Sequence, residues 1–401
     1  MTKKWTAYAF MMILIYCAGA LWFNTIGAAY RYAILLCMTL FIVFKNKKGM
    51  VTVSNNEGVI VFILIGMILL SCSFNRSFYS IDIMLILYWI LAVIVCGTFT
   101  FESFVENFTK CMAFIAVSST VLFVAYWLFP GWISILPTFT EKTWTTGLTV
   151  RNALVCVFDP GSSNYKRNWA IFYEPGMCAF YFSFALFLEM FYNKKSNIKT
   201  MLFLFIGVLS TLSTTGYISL LFLLGAFISN KATDGIDKER MKKYKKTFKK
   251  VVVAAIVFLA FFFVSHPNNW KFLTYKLYEL TSDSTGGSGY ERKLAIIYAM
   301  EAIKSNPMTG LSALPLYNLS AGKIQTFTPL NWFSSYGLIY GLTCNSLFFG
   351  LARIGRCSSA KVFAFMFLLI LGCTQSIGNN PIILIAMLYS VRNWSKEGKV
   401  Q

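Results

Sequence analysis

The chain has 401 residues, 57% of them hydrophobic and 13% charged, with a formal net charge of +20. Soluble domains carry about 25% charged residues. The apolar residues here gather into repeated long runs, which excludes a soluble globular enzyme and points to a polytopic membrane protein. In that setting the positive charge reads first as a topology determinant, not as a nucleic-acid footprint.

In chain order, apolar spans fall at roughly 5–23, 28–44, 59–73, 81–97, 111–129, 175–192, 199–213, 215–230, 251–265, 332–351, 361–377 and 380–391. The first follows Met-Thr-Lys-Lys and lacks a small-residue cleavage site, so it is expected to remain as a transmembrane helix. About twelve spans put both termini on one side. The links at 45–58, 98–110, 193–198, 231–250 and 352–361 share that side with the termini, and together they hold 23 of the 36 Lys and Arg residues. The positive-inside rule then makes the termini cytoplasmic. The expected fold is an all-α polytopic bundle over 1–401, with a basic cytoplasmic loop at 231–250 and two large outer loops at 130–174 and 266–331.

The 231–250 link is densely basic, from Lys238 and Arg240 to Lys249 and Lys250. Such clusters attract anionic lipid heads, but a plain topology signal is the simpler reading. The spans at 199–213 and 215–230 are short for a full crossing and suggest a hairpin turning at Ser213-Thr214-Thr215-Gly216; a similar hairpin is expected at Gly378-Asn379-Asn380-Pro381. In the second outer loop, Ser288 and Glu291 have capping-box spacing and Asn306-Pro307 ends the run, which predicts a helix with Arg292 near its start. Its apolar stripe is expected to run through Ile296, Ala299 and Ile303, with Leu294, Ile297 and Tyr298 as a second patch.

The ten cysteines lie mostly in apolar spans, with no Cys-x-x-Cys pair, which argues against a disulfide framework and a structural zinc site. The single histidine, His266, reads as a structural interface residue. No phosphate-binding glycine loop or zinc spacing is present, and neither metal nor cofactor is expected. Glu189, Asp82 and Arg31 sit near span ends, within snorkelling reach of the interface. No ionisable residue lies at mid-depth, which disfavours an ion-coupled transporter.

The chemistry concentrates in the outer loops. Residues 167–176 read Arg-Asn-Trp-Ala-Ile-Phe-Tyr-Glu-Pro-Gly, a cation and a carboxylate set just before a helix start with Pro in its first position. Glu174 is open to two readings: a helix cap near the positive end of the dipole, or a group in a membrane-surface active site. The first loop also carries Lys142, Arg151 and Lys166, and the second Arg292, Lys293, Lys304 and Lys323. Arginine suits diphosphate through bidentate, charge-assisted bonds, so two arginines on different loops could hold a lipid-linked diphosphate and stabilise it as it leaves. Glu174 could accept a proton from an attacking sugar hydroxyl.

Arg167, Phe172, Glu174 and Pro175 resemble the Arg…Phe-x-Glu-Pro signature of O-antigen polymerases (the Wzy family). The Ser-Thr-Thr-Gly turn is similar to the Ser-Arg-x-Gly turn common there, with Thr in place of Arg. Arg292 followed by Asn306-Pro307 and Gly310 resembles the family's second periplasmic loop, and Asn331, Gly337 and Gly341 resemble its re-entry into the next helix.

The resemblance implies a metal-independent, inverting glycosyltransferase of the C-type membrane class in the inner membrane. It would polymerise undecaprenyl-diphosphate-linked oligosaccharide repeat units at the periplasmic face, among membrane lipids, with a chain-length regulator and a flippase as partners and no nucleic acid. Arg167, Glu174 and Arg292 become candidate catalytic residues; Arg151, Lys166, Lys293, Asn331 and Arg31 become candidate substrate-binding positions. An O-antigen ligase is the nearest alternative, but ligases carry His-Asn before the helix that follows the second loop, where this chain has Leu330-Asn331. A lipid-linked oligosaccharide flippase is the other, and two long arginine-bearing loops argue against it.

Overall fold

The computed structural model describes residues 2–45, 54–140, 149–159, 167–230, 246, 288–322, 326–354 and 357–397. The span expected at 251–265, nearly all of the basic loop at 231–250, His266 and Lys166 lie outside the described residues.

The described chain is mostly helical. It runs through α1 (Thr2–Gly19), α2 (Leu21–Thr25), α3 (Ala28–Lys45), α4 (Asn55–Phe74), α5 (Ser80–Thr98) and α6 (Phe101–Leu128). A 3₁₀ turn (Pro130–Ile135) and three short strands, β1 (Thr138–Thr140), β2 (Thr149–Asn152) and β3 (Val157–Phe158), follow. Then come α7 (Pro175–Phe191), α8 (Ile198–Ser210), α9 (Thr214–Ser229), α10 (Ser288–Ser305), α11 (Ala313–Leu319), α12 (Thr328–Gly350), α13 (Ser358–Thr374) and α14 (Pro381–Glu397). By length and composition α4, α5 and α6 can each cross a membrane, and several shorter apolar helices accompany them. The molecule is therefore described as a helical membrane protein.

α7 lies at the centre. From Met177 to Met190 every residue is buried, and its Phe187 stacks on Phe367 of α13 with ring centroids 5.2 Å apart. A helix apolar on all sides is one that other helices surround. In a bilayer, lipid is as apolar as leucine, so close packing and polar ties between helices hold such a bundle together.

Several expectations are corrected here. The first span breaks at Ala20, where Leu21 N–H donates to the Ile171 carbonyl at 2.9 Å and Ala20 forms a bridge with Phe172. The fifth span starts at Phe101 instead of 111, because Thr100 caps it by accepting from Ser103 N–H at 3.2 Å and Glu106 pairs with Lys110 one turn on. The first outer loop holds an antiparallel sheet in the order β1-β2-β3, which apolar periodicity did not suggest. The α8–α9 hairpin turns at 211–213, and Ser213 to Gly216 form the cap and first turn of α9.

Asp82 and Glu189 do not snorkel: they are 0% and 1% exposed. Asp82 accepts from Tyr79 N–H at 2.9 Å, Tyr336 O–H at 2.8 Å and Ala313 N–H at 3.4 Å. Glu189 accepts from Thr109 O–H, the Asn193 amide and Asn197 N–H, each at 2.7 Å. Each carboxylate is thereby satisfied inside the protein, as burial requires.

The second-loop helix forms as expected, over Ser288–Ser305. Its packed face is shifted: Ala299 is buried as expected, together with Ala295 and Ala302, while Ile296 and Ile297 are 37% and 49% exposed. Small side chains let α10 approach α12 closely. α12 itself breaks at Gly337, with φ +83° and ψ −173°. The segment 307–312 crosses that break. Leu311 and Ser312 N–H donate to the Ser334 and Ser335 carbonyls at 2.9 and 2.8 Å, and Leu338 N–H donates to the Pro307 carbonyl at 2.9 Å. These bonds satisfy the backbone groups that the break releases. A Cβ at Gly337 would lie 2.0 Å from the Met308 carbonyl oxygen, and one at Gly310 (φ +66°) 2.5 Å from the Ser335 backbone. Both positions therefore require glycine.

Candidate active site

The segment 167–174 is anchored by Asn168, which is fully buried. Its amide donates to Ser119 Oγ of α6 at 3.1 Å and to Ser210 Oγ of α8 at 2.8 Å, and its Oδ1 accepts from Ala170 N–H at 2.9 Å. This clamp sets the neighbouring Arg167, whose Nε donates to the Thr211 carbonyl at 3.2 Å, just past the C-terminal end of α8. A cation is favoured there by the helix dipole. Arg167 is half-buried, and burial pulls its pKa down while the neighbouring Glu174 opposes that shift. Arginine stays charged under such a shift.

Glu174 occupies the N-cap position of α7 in extended conformation, with Pro175 at the first helical position as expected. Its side chain makes no cap hydrogen bond to the helix. The half-buried carboxylate instead lies in the fields of Arg167 and Arg292, with the Gln375 amide beside it across Gly176. Burial raises its pKa, and the two guanidinium groups and the neighbouring Gln375 amide oppose that rise. Glu174 thus keeps the N-cap position near the positive end of the helix dipole, but its side chain makes no cap bond.

Arg292 comes from near the start of α10, which its alanine face holds against α12. Arg167, Glu174 and Arg292, drawn from two segments far apart in the chain, are thus brought into one electrostatic neighbourhood. The other expected positions are dispersed. Arg151, on β2, donates to the Leu136 and Ser134 carbonyls at 2.7 and 3.2 Å and so staples its own loop. Lys293 is exposed on α10. Asn331, in the first turn of α12, accepts from Ser335 O–H at 3.0 Å beside the helix break. Arg31 is half-buried near the start of α3, beside Tyr88 of α5, with its Nε buried and making no hydrogen bond.

Two residues of the site were missed in the sequence. Asn168 carries no motif signal beyond adjacency to Arg167. Gln375, at the end of α13, lies far along the chain from Glu174; a polar residue closing an apolar span was the only cue. Among the described residues, no group of His, Cys, Asp and Glu could hold a metal ion.

These features define a class: a helical membrane protein with a carboxylate and two arginines at one end of its bundle, convergent from separate loops. No protein-family model and no curated protein matches the chain.

Proposed function

We propose that this protein polymerises undecaprenyl-diphosphate-linked oligosaccharide repeat units into O-antigen at the outer face of the bacterial inner membrane, by metal-independent inverting glycosyl transfer. The observation that carries this reading is the Glu174 carboxylate set in the fields of Arg167 and Arg292. Both guanidinium groups suit the diphosphate of a lipid carrier. The hydroxyl at the non-reducing end of the incoming unit attacks the anomeric carbon of the growing glycan. The new C–O bond forms as the bond to diphosphate breaks, and a single displacement inverts the anomeric centre. The hydroxyl proton passes to Glu174, whose raised pKa makes it the stronger base. The departing undecaprenyl diphosphate takes the electron pair, and its charge is stabilised by the two arginines. Both termini lie in the cytoplasm.

Deletion of the gene tests the assignment by lipopolysaccharide gel. A lost polymerase leaves single repeat units on the lipid core. A core carrying no repeat unit at all would instead indicate a ligase or a flippase.

A further inference from the structure

Glu174 does not meet the two arginines alone. The Gln375 amide, at the end of α13, lies beside it across Gly176, which brings a third helix to the site. The approach depends on Gly176, two residues after Glu174. A Cβ built there would lie 2.5 Å from Gln375 Nε2 and 3.4 Å from Glu174 Oε1. The glycine therefore leaves a notch that the amide occupies. Gln375 is itself buried, so its amide has little water to turn to. Its backbone is fixed as well: its carbonyl accepts from Thr328 O–H at 2.7 Å, and Thr328 Oγ1 accepts from Ile377 N–H at 2.9 Å. Thr328 is fully buried at the start of α12, the helix against which the Arg292-bearing α10 packs.

We infer that Gln375 is a positioning residue for Glu174: its amide N–H holds one carboxylate oxygen in the Gly176 notch and leaves the other for the acceptor hydroxyl. This inference rests on the glycosyl-transfer reading for the identity of that hydroxyl. The groups that face the carboxylate are Arg167 from the loop before α7, Arg292 from α10 and the amide from α13; Tyr217 of α9 and Cys178 of α7 act on Arg167. A donor to the charged form favours that form. The amide therefore also restrains the basicity that burial confers on Glu174.

The test uses the full-length protein in lipid nanodiscs and two readouts. The first is labelling of Glu174 by a hydrophobic carbodiimide, which reacts with the protonated carboxyl, followed by peptide mass spectrometry across pH. The second is the pH dependence of polymer formation from lipid-diphosphate-linked repeat units. Gln375→Met removes the donor at similar volume, and Gln375→Glu replaces it with a like charge in the same shape. Both variants are expected to move the Glu174 labelling midpoint and the acid limb of the activity profile upward by roughly one pH unit. A midpoint unmoved in both folded variants would overturn the inference. Failure of the wild-type protein to make polymer would count against the functional reading, while the labelling arm still decides the role of Gln375.

Discussion

Glu174 is the residue on which the proposed chemistry turns. It stands at a helix start yet does not cap the helix, so its side chain is released for the pair of arginines and for Gln375. Its pKa is raised in the folded protein, with burial the leading cause. The sign of the consequence is fixed by linkage. Stability contributed by a raised carboxyl is complete below its unfolded pKa and is lost as pH rises through the folded value. Glu174→Gln should therefore melt no lower than wild type at alkaline pH, with any advantage shrinking in acid, when followed by circular dichroism in detergent. A clearly lower melting temperature at alkaline pH would contradict this. In the same variant, polymer formation should fall by roughly 10²–10⁴-fold, the usual worth of a general base.

At the scale of elements, the site depends on a loop that crosses a broken helix. Gly337 must take a positive φ and admit the Met308 carbonyl at a distance no side chain allows. Gly337→Ala should destabilise the fold by about 1–3 kcal/mol or more from backbone strain alone. Gly66→Ala, in α4 with open space around the new methyl, should be neutral or stabilising and serves as the control. Equal melting of the two variants would remove the crossing from the account.

The same elements show what was readable in the sequence. The described spans were legible because a membrane demands long apolar runs, and α10 was legible because Ser288, Glu291 and Pro307 punctuate it. Its buried face was legible only at Ala299, since Ala295 and Ala302 make a weaker signal than Ile296 and Ile297, which face outward. The three strands are too short for periodicity to register. In the site, Arg167, Glu174 and Arg292 were legible as charges stranded beside apolar spans. Gln375 and Asn168 were not, because their roles come from contacts between segments far apart in the chain.

At the scale of the whole molecule, the helices tie at two ends. One end is held by the fully satisfied Glu189, together with Tyr192 O–H donating to the Leu351 carbonyl at 2.6 Å. The other is held by Asp82, Asn168 and Asn75, whose amide donates to the Gly310 carbonyl at 3.0 Å. The acids at both ends are locked into structure, and the arginine–carboxylate site lies among the ties of the second end. That arrangement suits chemistry on a lipid headgroup at the membrane surface. The central claim is that Arg167 and Arg292 act together on one diphosphate. It is tested most directly by adding lipid-diphosphate-linked repeat units to the purified protein and measuring polymer and released lipid diphosphate. The account predicts polymer and lipid diphosphate in step for wild type. It predicts a loss of roughly 10²–10³-fold in Arg167→Ala and in Arg292→Ala, with Arg→Lys restoring little at either position. Undiminished polymer from both alanine variants would contradict it.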